Sequence, residues 1–281
     1  MDLRIGPWQI DIISGGEFMH DGGVLYGIVP KTIWEKFQPA DSLNRVHLAM
    51  HCVLARSDEH VMLIDTGHGD KLSPLDRKSH GLMPGWPLRD ALASRGLSPT
   101  DVTAVILSHL HWDHCGGATS RDGKDVVPTF PNATYYVNQR EWEDATSGDV
   151  NVSGGYVEED IQPLAKSGQL ALVNHLDEIA PGIQVLHTGG HTRGHQAVLI
   201  KSAKRGLVFM GDIAPTTAHI RRMWCTSYDL DLPQTRKAKD ELFAYAADNG
   251  HWIVWNHDRQ TPISQVNRHP KRDYVIGSRD C

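Results

Sequence analysis

Ser108-His109-Leu110-His111-Trp112-Asp113-His114 limits the fold of this 281-residue chain more than any other segment. Residues 102–107 lie directly before it, and their apolar, β-branched run predicts a short buried strand. At the His and Asp content of the chain, a chance H-x-H-x-D-H match is expected in roughly 0.5% of such sequences. The place of the motif at a strand end also favours a functional site over solvated loop histidines.

The spacing within this motif suits a metal site. His109 and His111 are two residues apart, so in extended backbone their side chains point to the same side and can bind one ion together. Asp113 and His114 begin the following turn and can point at a neighbouring ion. Imidazole nitrogens with some carboxylate oxygen favour zinc, iron, manganese or cobalt over calcium and magnesium.

Three further polar segments each follow a predicted strand. Their sequences are Thr188-Gly189-Gly190-His191-Thr192-Arg193-Gly194-His195, Gly211-Asp212 and Asn256-His257-Asp258. Glycines in the first of them give the backbone the freedom that a ligand needs to reach inward. Polar residues at successive strand ends predict a site on one rim of a sheet.

The rest of the chain alternates short strands with helices. We predict strands at residues 8–14, 24–29, 47–55, 60–65, 102–107, 133–138, 183–187, 197–201, 207–210 and 252–255, and helices at 86–95 and 234–247. Hairpin-like pairs outnumber strand–helix–strand units, which favours mixed sheets with helices outside, in an α+β or α/β arrangement. Residues 145–167 are polar and weakly periodic, and they form either a lid over the site or an ordinary surface excursion.

Composition narrows the class of protein. The formal net charge of −6 disfavours a broad non-specific nucleic-acid binder. Four cysteines without a C-x-x-C pair indicate a reducing compartment: Cys52, Cys115, Cys225 and Cys281. Residues 1–8 do not resemble a signal peptide, and no run approaches the ~18 apolar residues of a membrane span. We therefore predict a cytoplasmic protein that does not enter membranes.

The order H-x-H-x-D-H, lone His, Asp, His resembles the metallo-β-lactamase superfamily, from Ile64-Asp65-Thr66-Gly67 through His257. The resemblance implies an α+β fold, the αββα sandwich, in which two mixed β-sheets lie face to face with helices on the outside. It also implies that residues 1–281 form a single domain with an N-terminal extension over about residues 1–45. A homodimer is implied only by analogy with the family, with residues 4–36 as its candidate interface.

The resemblance further implies a pair of divalent metal ions, zinc first, with manganese, iron or cobalt as alternatives. Its ligand partition places one ion on His109, His111 and His191, the other on Asp113, His114 and His257, and Asp212 between them. His219 and His251 are rivals of His257 for the last position. Asp65 is expected to orient a ligand histidine, and His195 to support the site or pack against it. Cys115 is expected in the core, and Trp112 either at the pocket or in packing.

Two such ions would lower the pKa of a bridging water, so that a hydroxide attacks a carbonyl or phosphorus, with Asp113 or Asp212 as the catalytic proton carrier. The implied function is hydrolysis of an ester, lactone or phosphoester of a small molecule. Alternatives are a phosphotriesterase or phosphodiesterase rather than a lactonase, an iron-dependent sulfur dioxygenase, and a non-catalytic binding protein.

The overall architecture looks most like acyl-homoserine lactonases and their organophosphate-hydrolysing relatives. Those lactonases usually carry a Tyr three residues after the bridging Asp, whereas this chain has Pro215 there. Tyr228 and His219 are candidate replacements for that Tyr. An apolar pocket is expected to draw on tryptophans, and the candidates are Trp86, Trp112, Trp142 and Trp224.

Overall fold

The fold is described from a computed structural model, which covers residues 3–83, 85–203 and 205–279. Its strands, in chain order, are β1 (Leu3–Ile5), β2 (Trp8–Asp21), β3 (Arg45–Arg56), β4 (Val61–Ile64), β5 (Ala104–Ile106), β6 (Thr119–Asp122), β7 (Asp125–Pro128), β8 (Thr134–Asn138), β9 (Leu170–Val173), β10 (Leu176–Ala180), β11 (Ile183–His187), β12 (Gln196–Lys201), β13 (Gly206–Phe209), β14 (Trp252–Val254), β15 (Ile263–His269) and β16 (Asp273–Ile276).

The helices range in length from 4 to 18 residues. They are α1 (Gly22–Tyr26), α2 (Lys31–Trp34), α3 (Pro74–Ser79), α4 (Pro87–Ala93), α5 (Trp112–Cys115), α6 (Gln139–Thr146), α7 (Glu158–Ser167) and α8 (Leu232–Asn249). In α8 the Asp231 carboxylate accepts a hydrogen bond from the Gln234 N–H, and Gly250 ends the helix in the left-handed conformation.

Two mixed sheets of seven strands form the body of the protein. Their strand orders are β1-β2-β3-β4-β5-β8-β9 and β10-β11-β12-β13-β14-β15-β16. Strands β4, β5, β8 and β9 run parallel to one another, as do β13 and β14, while the other neighbours in these sheets are antiparallel. The predicted mixed sheets are confirmed.

Apolar side chains from both sheets meet in a shared core. This core joins Val53 and Ile106 of the first sheet to Val198 and Val254 of the second. The opposite face of the first sheet packs with Leu88 of α4 and Leu164 of α7. The opposite face of the second sheet packs with α8 through Leu242 and its neighbours. Helices therefore cover the outer faces, which confirms the predicted αββα sandwich.

One predicted strand is wrong. Residues 24–29 begin within α1 instead, because the Asp21 side chain accepts a hydrogen bond from the Val24 N–H and starts a helix. Gly27, with φ of 55°, follows the helix as its cap residue. The predicted strand at residues 8–14 is real but extends to Asp21, with a register shift between Ser14 and Gly16.

The parallel pair β13 and β14 sets the position of the site. Both strands end at the same edge of the second sheet, so the segments that follow them lie side by side. The loop after β5 meets this edge, because the Gln196 N–H donates to the Ser108 carbonyl and the Gln196 side chain to the Leu107 carbonyl. No helix in the described part of the chain is long and apolar enough to cross a membrane.

Candidate metal centre

The loop after β5 carries four of the predicted ligands. The Asp65 carboxylate holds its first residue, accepting hydrogen bonds from the Ser108 N–H (2.7 Å) and hydroxyl (2.8 Å). His109 is fully buried and His111 is half-buried at the start of α5, so both face inward. Asp113 and His114 follow within α5. A short helix after the strand therefore lets four neighbouring side chains converge.

The second sheet supplies the other three predicted ligands. His191 lies in the loop between β11 and β12, Asp212 follows β13, and His257 follows β14. All three are buried. We call the seven side chains the donor nest: His109, His111, Asp113, His114, His191, Asp212 and His257. The structure brings together every residue that the sequence placed there.

Three imidazoles form one group within the donor nest. His111 Nδ1 lies 3.1 Å from His109 Nε2 and 3.2 Å from His191 Nε2. Two nitrogens bound tetrahedrally to one ion at about 2.0–2.1 Å would lie about 3.3 Å apart. The observed spacing therefore suits a shared cation.

Asp113, His114 and His257 form a second group. Asp113 Oδ2 lies 3.6 Å from His114 Nε2 and 3.5 Å from His257 Nε2. Both Nε2 atoms are buried and have no hydrogen-bond partner, although unpaired buried polar atoms are costly. Orphaned nitrogens that converge with a carboxylate are what a metal ion would satisfy.

Asp212 lies between the two groups. Its Oδ1 is 3.3 Å from His114 Nε2 and 3.1 Å from His257 Nε2, while its Oδ2 is 3.4 Å from His191 Nε2. The Asn256 side chain also donates to Oδ1 at 2.8 Å. Each oxygen thus faces a different group, which is the arrangement a bridging carboxylate requires.

The pKa values of the nest residues depend on burial and on the charges of their neighbours, Asp212 above all. Burial alone would raise the pKa of the Asp212 carboxyl, but His257, His114 and His191 hold it well below its usual value. Burial opposes a charge on His114, yet Asp212 and Asp113 raise the pKa of that imidazole well above its usual value. Burial and neighbouring histidines lower the pKa of His109 well below its usual value. The nest therefore combines an ionised Asp212 and a neutral His109, the donor forms that bind a metal, with a His114 that has to release a proton when a metal binds.

Hydrogen bonds fix the orientation of three histidines of the donor nest. His114 Nδ1 donates to Asp65 at 2.7 Å, His191 Nδ1 to Asp229 at 2.9 Å, and His257 Nδ1 to a main-chain carbonyl, that of Ala49, at 2.6 Å. Each contact leaves Nε2 to point into the nest. The position of Asp65 is the one that the sequence predicted, whereas Asp229 was not foreseen.

His195 supports Asp212 through the main chain. Its Nε2 accepts a hydrogen bond from the Asp212 N–H at 3.1 Å, and its Nδ1 lies 2.7 Å from the Thr188 hydroxyl. Both nitrogens are therefore used outside the nest. His195 thus lies beside the nest rather than within it, and its supporting role stays a prediction.

The rival histidines lie outside the nest. His219 Nδ1 is 2.8 Å from the Thr216 hydroxyl and its Nε2 is 3.1 Å from the Leu25 carbonyl. His251 packs against Tyr245 at the far end of β14. His257 alone of these three is brought into the donor groups among the described residues.

Glu141 links two loops that carry histidines of the donor nest, and no sequence motif points to it. It is fully buried, and its oxygens accept hydrogen bonds from the Leu110 N–H, the Tyr156 hydroxyl and the Thr192 hydroxyl. Burial raises the pKa of its carboxyl despite these donors. Glu141 therefore connects the His109–His111 loop to the loop of His191.

A cavity of about 420 Å³ opens over the donor nest. Its wall comes from segments far apart in the chain, and we call the following residues the cavity wall: Phe18, His20, His80, Trp112, Val150, Asn151, Val152, Gly154, Gly155, Tyr228 and Leu230. His111, Asp113, His191 and Asp212 line the cavity as well. Donor nest and cavity thus form one continuous site.

Some of the residues predicted to line the pocket do so, and others lie elsewhere. Trp112 lines the cavity, but Trp86 and Trp142 pack with the outer face of the first sheet, and Trp224 packs beside Tyr26. Of the two candidates for the missing Tyr, only Tyr228 reaches the cavity, with its ring 5.3 Å from that of His191. The sequence pattern could not separate a lining tryptophan from a core tryptophan, because both are apolar.

The polar segment at residues 145–167 divides in two. Residues 150–152, 154 and 155 line the cavity, whereas Glu158–Ser167 form α7 against the first sheet.

Cys52, Cys115 and Cys225 are free and buried, and Cys115 lies in the core as expected. Cys281 lies outside the described residues.

The sequence matches a family model over most of its length. The model is that of the metallo-beta-lactamase superfamily, and it matches residues 48–257, a range that contains the whole donor nest. The chain belongs to this superfamily. The resemblance inferred from the motif is thereby confirmed.

Similar proteins of the superfamily are described as hydrolases. An N-acyl homoserine lactonase of Bacillus cereus is 29% identical over 177 residues, which span 59% of this chain and 64% of that relative. A probable metal-dependent hydrolase from Staphylococcus aureus is 29% identical with a TM-score of 0.89, covering 99% of this chain and 100% of that one. AidC, a dizinc quorum-quenching lactonase, is 18% identical with a TM-score of 0.79, covering 100% and 97%, and shows the shared fold alone.

Proposed function

We propose that this protein is a dinuclear metal-dependent hydrolase that cleaves an ester or lactone of a neutral small molecule. The observation that carries the proposal is the donor nest, whose two groups converge on either side of Asp212 at the floor of the cavity. The similarity to an N-acyl homoserine lactonase and to a probable metal-dependent hydrolase supports the same class of reaction.

In this proposal the two groups of the nest each hold one divalent ion. His109, His111 and His191 would hold the first ion, Asp113, His114 and His257 would hold the second, and Asp212 would contact both. Nitrogen-rich donor sets of this kind favour zinc, with manganese, iron and cobalt as alternatives. When bound, such a pair supplies Lewis acidity and a water activated near neutral pH.

The protein side chains would divide the remaining work. Asp212 keeps the two groups together, because each of its oxygens faces one of them. Asp113 is half-buried and lines the cavity, so its carboxylate is placed to accept the proton that the attacking water loses and to pass it to the departing alkoxide oxygen. Asp65 and Asp229 hold His114 and His191 in the orientation that points Nε2 inward.

The lining of the cavity favours a neutral substrate. None of the described residues that line it is a lysine or arginine, while Phe18, Trp112 and Val152 give it an apolar wall. An anionic phosphomonoester or phosphodiester would find no lysine or arginine there to pair with its charge. The volume of about 420 Å³ is in the range of small-molecule sites.

Metal content and turnover together test the proposal. The purified protein is stripped with a chelator, reloaded with zinc, manganese, iron or cobalt, and analysed for metal per chain. Each form is then assayed with neutral lactones, p-nitrophenyl esters, phosphotriesters and phosphodiesters. We expect about two ions per chain and hydrolysis of the neutral carbonyl esters that the chelator abolishes and metal restores.

The control is His175→Gln, which alters an exposed histidine away from the nest and is expected to keep both metals. Faster turnover of phosphodiesters than of lactones would contradict the proposed substrate class. Bound iron with oxygen consumption and no hydrolysis would replace the proposed reaction with an oxidation. Binding of no metal would contradict the ligand assignment itself.

A further inference from the structure

Lys71 is a buried lysine behind the donor nest, and the chemistry described above does not use it. It lies in the loop between β4 and α3, and only 4% of its side chain is exposed. Lysine is almost never fully buried unless its charge is paired. The groups that Lys71 contacts therefore indicate what a charge does at this position.

The Lys71 ammonium meets three acceptors. Two are main-chain carbonyls, that of Gly116 and that of Thr119, the latter at 2.6 Å. The third is the buried carboxylate of Asp160 in α7, whose Oδ1 lies 3.0 Å from Nζ. An ammonium has three N–H donors, so these acceptors match its full capacity. Lys71 therefore connects the turn that follows α5 both to its own loop and to α7.

The same loop also holds the backbone of α5 itself. The Thr66 N–H and hydroxyl both donate to the His114 carbonyl, at 2.7 and 2.9 Å. The Gly67 carbonyl accepts a hydrogen bond from the Gly117 N–H at 2.9 Å. Residues 66–71, which we call the support loop, thus contact the end of α5 and the turn after it at several successive residues.

The turn that Lys71 holds lies directly after two members of the donor nest. Asp113 and His114 both lie within α5, and Gly116 is the residue that ends this helix. Gly116 and Thr119 are buried, so without Lys71 their carbonyls would lose a partner in a place that water does not reach. Such a loss is costly, and the turn would relieve it by shifting. The shift would carry Asp113 and His114 with it.

The other donor group has a different anchor. Glu141 connects the loop of His109 and His111 to the loop of His191 through the Leu110 N–H and the Thr192 hydroxyl. That anchor does not involve Lys71. A change at Lys71 should therefore act on one donor group more than on the other.

We propose that Lys71 is a positioning residue, which acts through the turn after α5 to hold Asp113 and His114 in place for the second ion. The inference rests on the proposed function for the division of the nest into two ion sites. Lys71 does not line the cavity, so it contacts neither substrate nor ion. Its loss should weaken the binding of one ion rather than of both.

Three variants of the full chain separate positioning from stability. Lys71→Met removes the hydrogen bonds to both carbonyls. Asp160→Asn removes the charge of the partner but leaves an oxygen for the ammonium, so those two hydrogen bonds remain. The double variant Lys71→Met/Asp160→Leu leaves no unpaired charge, and apolar replacement of a buried ion pair is often neutral for stability. The double variant therefore gives a result even if Lys71→Met folds poorly.

Competition with a chromogenic chelator measures the two zinc affinities, and urea denaturation measures stability. We expect both single variants to lower the urea midpoint. In Lys71→Met one zinc affinity should fall about tenfold, as for other residues that orient ligands, while in Asp160→Asn both stay within about twofold of the wild type. The double variant should regain most of the stability but not the affinity. Anomalous diffraction should place the weakened ion beside Asp113 and His114.

Three results would overturn the proposal. Zinc affinity that falls in parallel with stability across all three variants would show a purely structural role. Equal weakening of both ions would show that Lys71 does not act on one donor group. Unchanged zinc affinity in Lys71→Met and in the double variant would show that the turn needs no lysine to hold its position.

Amide hydrogen exchange of the metal-free protein separates this inference from the proposed function. If the wild type binds no zinc, the proposed function fails. The role of Lys71 then stands if amides of residues 112–117 exchange about tenfold faster in the double variant but not in Asp160→Asn, relative to amides of α8. If the wild type binds two zinc ions but neither exchange nor affinity responds to the loss of Lys71, the role of Lys71 is wrong and the proposed function stands.

Discussion

The donor nest and the cavity wall lie in contact but are built in different ways. Four of the seven nest residues come from one six-residue segment, His109 to His114. Hydrogen bonds to Asp65, Asp229 and the Ala49 carbonyl orient three histidines of the nest, His114, His191 and His257. The wall combines β2, the loop around residue 150 and the segment near Tyr228, and it is held mainly by ring and apolar packing.

This difference assigns separate roles to the two regions. A hydrogen-bonded nest has one geometry, so a change there should alter metal binding and the rate for every substrate. A packed wall tolerates replacement, so a change there should alter affinity for one substrate more than another. The following variants test whether the two kinds of effect separate in this way.

The largest effect is expected for Asp212→Ala. The variant removes the carboxylate whose two oxygens face the two donor groups. We expect bound metal to fall from about two ions to about one. We also expect kcat to fall roughly a thousandfold, because several kcal/mol of transition-state stabilisation depend on having both metal ions. Elemental analysis and steady-state kinetics measure both quantities. If the variant retains two ions and normal turnover, Asp212 does not bridge the two sites.

Asp229→Asn should have the next largest effect. Asp229 accepts hydrogen bonds from His191 Nδ1 at 2.9 Å and from the Thr226 hydroxyl at 2.6 Å. An amide in its place weakens the hold on the histidine, and such changes cost about 10- to 100-fold in metal affinity or activity. Competition with a chromogenic chelator gives the affinity. Asp240→Asn, at an exposed ion pair, is the matched control and should change nothing.

Glu141→Gln tests the link between the two ligand loops. The carboxylate accepts three hydrogen bonds, and a glutamine would turn an NH₂ group toward one of those donors. We expect the free energy of unfolding of the metal-free protein to fall by about 1–3 kcal/mol. Urea denaturation followed by circular dichroism measures the change. Unaltered stability would mean that the two loops are held together by other contacts.

The smallest effect is expected at the rim of the wall. Val150 lines the cavity but is 85% exposed, and Leu230 nearby is 43% exposed. Val150→Ser removes little apolar area, so KM for a substrate with a long alkyl chain should rise about two- to fivefold, with kcat unchanged. A short-chain substrate serves as the internal control. A large loss of kcat with both substrates would erase the distinction between nest and wall.

The same distinction explains what the sequence could predict. His109, His111, Asp113 and His114 form a contiguous motif, and Asp212 follows a strand end, so residue type and position sufficed to group them. The fold followed from the resemblance that these residues carry, and the superfamily match confirms it. Their roles as ligands stay predictions until metal is measured.

The cavity wall escaped the sequence analysis for a physical reason. Phe18, His20 and Tyr228 meet through packing across more than 200 residues of chain, and none belongs to a local pattern. Glu141 was missed for a similar reason. From sequence alone, a glutamate on an amphipathic helix is assigned to the exposed face, and only its hydrogen-bond partners show that this one is buried. The error at residues 24–29 came from an apolar run whose cap at Asp21 outweighed strand propensity.

The most direct test of the central claim is a crystal structure of the zinc-loaded protein with anomalous diffraction data collected on both sides of the zinc edge. The account predicts two zinc peaks per chain, one among His109, His111 and His191 and the other among Asp113, His114 and His257, with Asp212 in contact with both. A single peak, or a second zinc held elsewhere with Asp212 turned away, would contradict it.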